Sequence, residues 1–168
     1  TMCLLAGLFV WCTAWPSQVL ADAFAYVSLD GENKIVVYAA DETDGTLSRR
    51  AETQLEGSAG PLCVSLDRKF LFASVRSSGK LASFRISPND GKLTHINTVS
   101  TGVNSAYVAT DRTGRFLLAA YYTEGKITSH AIGKNGRIGE RVVQEVFTAE
   151  KAHAILTDRE NRWVYVPH

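Results

Sequence analysis

One phrase returns three times along this chain, and its spacing limits the fold more than any single residue does. It reads Ser65-Leu66-Asp67-Arg68-Lys69-Phe70-Leu71-Phe72, then Asp111-Arg112-Thr113-Gly114-Arg115-Phe116-Leu117-Leu118, then Asp158-Arg159-Glu160-Asn161-Arg162-Trp163-Val164-Tyr165. Anchored on Phe70, Phe116 and Trp163, the steps are 46 and 47 residues. Such periods mark stacked β modules, each too small to bury its own faces without a neighbour. The four-stranded blade of a β-propeller has this length. The repeat therefore predicts an all-β chain of four-stranded antiparallel blades, with Asp67, Asp111 and Asp158 as the recurring turn aspartates.

Two further turn signals keep the same step. Asn33-Lys34, Gly79-Lys80 and Gly125-Lys126 form one series; Asp44-Gly45, Asp90-Gly91 and Asn135-Gly136 form the other. Asn, Asp and Gly tolerate the positive φ that tight hairpins need. In the second unit the reading is a first strand over 62–66, a fully apolar second strand over 70–75, a third over 81–86 and a polar outer strand over 92–99. A β-sandwich would also have short strands and frequent turns, but it does not require one phrase every 46 residues. In the first unit, Phe24 to Leu29 matches a second strand, so the innermost strand is expected from a later part of the protein. About three blades fit in 168 residues, whereas propellers have roughly 4–8. The reading is an incomplete ring, about three blades of a probable seven, at the N-terminal side of a longer protein that is itself expected to be a monomer.

The first residues differ in kind. Met2 to Trp15 is almost wholly apolar, and no charge precedes Asp22. The stretch is short for a spanning helix, which needs about 20 residues. With Val19-Leu20-Ala21 after it, residues 1–21 read as a secretory signal and 22–168 as the propeller part; a buried N-terminal strand or helix is the other reading. Export to the periplasm or outside the cell follows from the first, a cytoplasmic protein from the second. Only Cys63 remains after the signal, so no internal disulfide is available, and a buried structural thiol is expected there. A formal charge of +1 gives no electrostatic case for nucleic acid or an anionic membrane. No cofactor motif or zinc spacing is present.

Phe70-Leu71-Phe72-Ala73-Ser74-Val75-Arg76, Phe84-Arg85-Ile86-Ser87-Pro88-Asn89-Asp90-Gly91-Lys92-Leu93 and Lys151-Ala152-His153-Ala154-Ile155-Leu156-Thr157-Asp158 resemble the lactonase-type seven-bladed propeller family, which includes the propeller-type bacterial 6-phosphogluconolactonases. The resemblance covers Ala25 to His168. It implies hydrolysis of a sugar lactone; the isolated His153 and His168 argue no metal site, and nothing in the sequence implies a cofactor. His153, at the start of an inner strand, is the candidate catalytic base; its alternative is a hydrogen bond to a neighbouring blade. Arg76 is a candidate binder of phosphate or carboxylate, or a solvated turn residue. Tyr122 and His168 complete the candidate substrate-binding set. Of the adjacent tyrosines, one is expected to pack between blades and the other to line the mouth of the channel. A non-catalytic exported propeller that binds a protein or a polysaccharide is the second functional reading, because a fold alone does not fix a function.

Overall fold

The computed structural model describes residues 23–168, and the predicted signal over 1–21 lies outside the described residues. The described chain is built from short antiparallel strands. The first sheet has three, β1 (Ala23–Leu29), β2 (Lys34–Ala40) and β3 (Leu47–Gln54), in that order. The second runs β4 (Ala59–Val64), β5 (Phe70–Val75), β6 (Lys80–Ile86), β7 (Leu93–Ser100). The third runs β8 (Tyr107–Thr110), β9 (Phe116–Tyr121), β10 (Lys126–Ile132), β11 (Ile138–Phe147), and a two-stranded sheet of β12 (Leu156–Thr157) and β13 (Val164–Tyr165) follows. The repeat step is thus a sheet step, and among the described residues the first sheet has no first strand of its own.

Burial explains the composition of each strand. Every residue of β5 is buried, as a strand covered on both faces requires, whereas β3 and β11 are largely exposed outer strands. The cores lie between sheets. Phe72, Leu81 and Val99 of the second sheet pack with Leu117, Tyr121 and Ile138 of the third. Ile35 of the first packs with Leu71, Ala73 and Phe84 of the second. A bulge recurs at the same point in all three larger sheets, after Val37, Ser83 and Ser129, where the outer strand carries one extra residue.

The turns behave as their residues dictate, with one correction. The loop between first and second strands is a four-residue turn whose left-handed position is Arg68, Gly114 or Asn161. Counted back from the aromatic anchor, Asp111 and Asp158 correspond to Ser65, not to Asp67. Asp111 accepts from the backbone N–H of Arg115 and Phe116, both at 2.9 Å. Asp158 does the same for Trp163 at 2.8 Å. In the second sheet Ser65 Oγ accepts from Phe70 N–H at 3.0 Å and donates to Asp67 at 2.7 Å. A hydroxyl backed by a carboxylate two residues on replaces the direct carboxylate, so the phrase keeps its chemistry while its aspartate shifts.

The Asp-Gly and Asn-Gly turns join neighbouring sheets. Gly91 has φ +70°, and a Cβ there would lie 2.7 Å from the Phe24 ring of the preceding sheet. Gly136 has φ +84° and faces Phe70, one sheet back, in the same way, with 2.5 Å left to Cε1. Each glycine thus supplies both the turn and the bare surface on which the previous aromatic anchor sits.

Candidate active site

Antiparallel pairing brings the end of each second strand beside the start of each first strand, and the candidate residues gather at this end. Ala59 pairs with Val75, Ala106 N–H donates to Ala120 O at 2.8 Å, and His153 N–H donates to Pro167 O at 3.2 Å. His153 therefore occupies the position held by Gly60 and Ala106 in the preceding sheets. Arg76 and Tyr122 both directly follow a second strand, and His168 lies at the end of the segment that contains β13.

His153 and His168 meet the same turn. His153 Nδ1 lies 2.9 Å from Lys151 O, and His168 Nδ1 lies 3.1 Å from Glu150 O. A carbonyl only accepts, so each ring donates from Nδ1. Lys151 has φ 70°, and its N–H donates to Tyr122 O at 2.8 Å. One strained turn thus ties Tyr122, His153 and His168 together. Both histidines are exposed. Tyr122 is 46% exposed, whereas Tyr121 is fully buried between the second and third sheets and bonds Thr128 at 3.1 Å. Burial pushes the Tyr121 phenol up.

Arg76 stands one sheet away at the same end. Its N–H donates to Ser58 O at 2.8 Å, and its Nε donates to Asn104 Oδ1 at 3.3 Å. Asn104 was not legible as a site residue: its partner is 28 positions away, and no local motif marks it. Cys63 is half-buried, and burial raises its thiol, as suits a structural role. Among the described residues no three His, Cys, Asp or Glu side chains gather as metal ligands. A cavity of about 230 Å³ between the first strands is lined by Cys63, Tyr107 and Thr157.

The comparisons with known proteins settle the family. Residues 31–168 match the model of the family described as "Lactonase, 7-bladed beta-propeller". The chain belongs to this family. A 6-phosphogluconolactonase of Enterobacter sp. is 30% identical over 125 residues, which is 74% of this chain and 37% of the relative. The chain thus spans well under half the length of the curated relatives it matches. The solved structure of the Pseudomonas aeruginosa periplasmic gluconolactonase superposes with a TM-score of 0.70 at 26% identity, over 76% of this chain and 38% of that one. A protein from Bacteroides fragilis gives a TM-score of 0.77 at 19% identity, over 90% of this chain and 47% of its own, which speaks for the fold.

A third histidine lies outside this end. His130 is fully buried on β10, at the position that Phe84 holds in the second sheet. Its Nδ1–H donates to Gly139 O at 3.2 Å, and among the described residues its Nε2 has no hydrogen-bond partner. Burial lowers its pKa from the usual 6.5. Folding therefore favours the neutral ring. That stability is complete above about pH 6.5 and is lost as pH falls through the lower folded value. His130→Phe should flatten the fall in melting temperature between about pH 7.5 and 5. An unchanged slope in thermal scans would assign the acid sensitivity elsewhere.

Proposed function

We infer that the complete protein is a lactonase that opens a sugar lactone by attack of water, with His153 as the base. The observation that carries this reading is the contact of His153 Nδ1 with Lys151 O at 2.9 Å. That Nδ1–H is spent on Lys151 O, so Nε2 is free to take a proton from water at the exposed rim. The water oxygen bonds to the lactone carbonyl carbon, and its proton passes to Nε2. The carbon–ring-oxygen bond then breaks, and the ring oxygen leaves as a hydroxyl carrying that proton. Arg76 binds an anionic group of the substrate, while Tyr122 and His168 line the same mouth. The names of the relatives support the reaction class.

Export is part of the proposal. The apolar run over 2–15, followed by Ala21, fits a secretory signal, and one of the similar structures is of a periplasmic gluconolactonase. An exported enzyme would meet non-phosphorylated lactones. The test is hydrolysis of a lactone panel by the complete protein, with spontaneous opening subtracted. Turnover of at least one sugar δ-lactone is expected. Absence of turnover across neutral, phosphorylated and carboxylate-bearing lactones would favour a binding propeller instead.

A further inference from the structure

We propose that Asn104 is the positioning residue for Arg76, and that together they make the mouth selective for a lactone bearing a negatively charged group away from its carbonyl. The proposal rests on the lactonase reading above. Four observations at this end of the second and third sheets lead to it.

The first is how Arg76 is held. Its backbone is fixed on both sides: its N–H donates to Ser58 O at 2.8 Å, and its carbonyl accepts from Gly79 N at 3.2 Å. Its aliphatic stem lies across Gly60. A Cβ at Gly60 would sit 2.5 Å from Arg76 Cγ and 2.8 Å from Cδ, with Ser74 O at 3.1 Å behind. The stem therefore occupies the space that a side chain at Gly60 would need.

The second is what remains free. Nε is the nitrogen that Asn104 Oδ1 takes, at 3.3 Å. The two terminal nitrogens of the guanidinium, which form the fork for a carboxylate or phosphate, are left unspent by that bond. Among the described residues no carboxylate lies within ion-pair distance of Arg76. By contrast, Lys34, Lys80 and Lys126, which recur at one position of the repeat, each hold a glutamate.

The third is how rigidly Asn104 is presented. Thr101 Oγ1 lies 2.9 Å from both Gly79 O and Val103 O and shares its one proton between them. Gly79 lacks the Cβ that would meet Val103 N at 2.8 Å, so the 101–103 segment lies directly on the turn after Arg76. Ser74 and Ser105, both buried, join the two sheets beside the pair. Ser105 Oγ donates to Ser74 Oγ at 2.7 Å, and Ser74 Oγ donates to Ser105 O at 3.1 Å. The backbones that carry the two exposed side chains are thereby held before any ligand arrives, which lowers the cost of ordering the pair on binding.

The fourth is the departure from the repeat. The position of Arg76 carries Tyr122 in the next unit, and that of Asn104 carries Lys151. Architecture alone does not demand an arginine or an asparagine there.

The experiment uses the complete protein and three lactones: a neutral sugar δ-lactone, its phosphorylated counterpart and a carboxylate-bearing one. Asn104→Ala should raise KM for the charged lactones about tenfold, leaving kcat and the neutral KM within about twofold. The charged lactone that shows the larger change identifies the anion. Asn104→Asp keeps an acceptor for Nε but sets a negative charge beside the fork. It should raise the charged KM further and leave the neutral KM alone. A purely structural staple predicts the opposite, with Asn104→Asp harmless and Asn104→Ala harmful to all three substrates; either result overturns the proposal. A second measurement does not depend on turnover. In ¹⁵N-arginine-labelled protein, inorganic phosphate and acetate are titrated against the Arg76 Nε signal. Saturable shifts that Asn104→Ala weakens about tenfold support the pair even if no lactone is hydrolysed. No shift with either anion refutes it, whatever the lactonase assay gives.

Discussion

Replacing His153 by alanine in the complete protein is expected to lower kcat/KM for a hydrolysed lactone by about 10²–10⁴-fold, the usual contribution of one positioned general base. Most of the loss should fall on kcat, because the ring acts on water and not on the sugar. The background matters for the measurement. Sugar δ-lactones open slowly without an enzyme, so initial rates must be read against a buffer blank. His168 has the same Nδ1-to-carbonyl geometry one strand away, which makes it the natural control. His168→Ala should raise KM while kcat stays within about threefold, as expected for a residue that lines the site. If the two variants exchange these signatures, the base is His168. If both retain full activity, neither imidazole takes the proton.

The second large effect concerns stability. Asn97 is buried on β7 and grips the backbone of the next sheet. Its Nδ2 donates to Ile138 O at 2.9 Å, and its Oδ1 accepts from Ile138 N–H at 3.0 Å and from Ser83 Oγ at 2.8 Å. Leucine has a similar volume and none of these bonds. Asn97→Leu leaves three polar groups without their partner, and each buried orphan costs about 1–3 kcal/mol. A loss of roughly 3–5 kcal/mol is expected, read from the denaturant midpoint of the complete protein. An unchanged midpoint would mean that the clamp contributes little.

The strands and hairpins could be read from the chain because their signals are local. Asn33, Gly79 and Gly125 take left-handed φ where the sequence places turns, and so do Gly45, Gly91 and Gly136. The apolar run of β5 stands out for the same reason. The start of β4 did not. Gly57-Ser58-Ala59-Gly60-Pro61 reads as loop, yet β4 begins at Ala59 and not at Leu62. Pro61 is tolerated because β4 is an edge strand with a register shift between Ala59 and Leu62. Gly60 belongs to the strand because Arg76 lies over it. The Ser65 relay was hidden because an aspartate two residues later imitates the motif. Within the candidate site, His153 stands out in the sequence as a break in the repeat. Asn104 and Asn97 were invisible because their partners lie 28 and 41 positions away, and no local pattern encodes such a pair.

The aromatic–glycine contacts have a direction. Phe24 closes on Gly91 and Phe70 on Gly136, so each anchor waits for a turn about 66 residues downstream. At roughly 5–20 residues per second, that interval is about 3–13 s of synthesis during which each new sheet holds an uncovered ring. The turn that covers each anchor is thus always made after the anchor itself. Because that wait exceeds the 46-residue step, two rings, Phe24 and Phe70, are uncovered together while residues 70–91 are made. A chaperone that binds this protein as it is made should find anchors on two successive sheets.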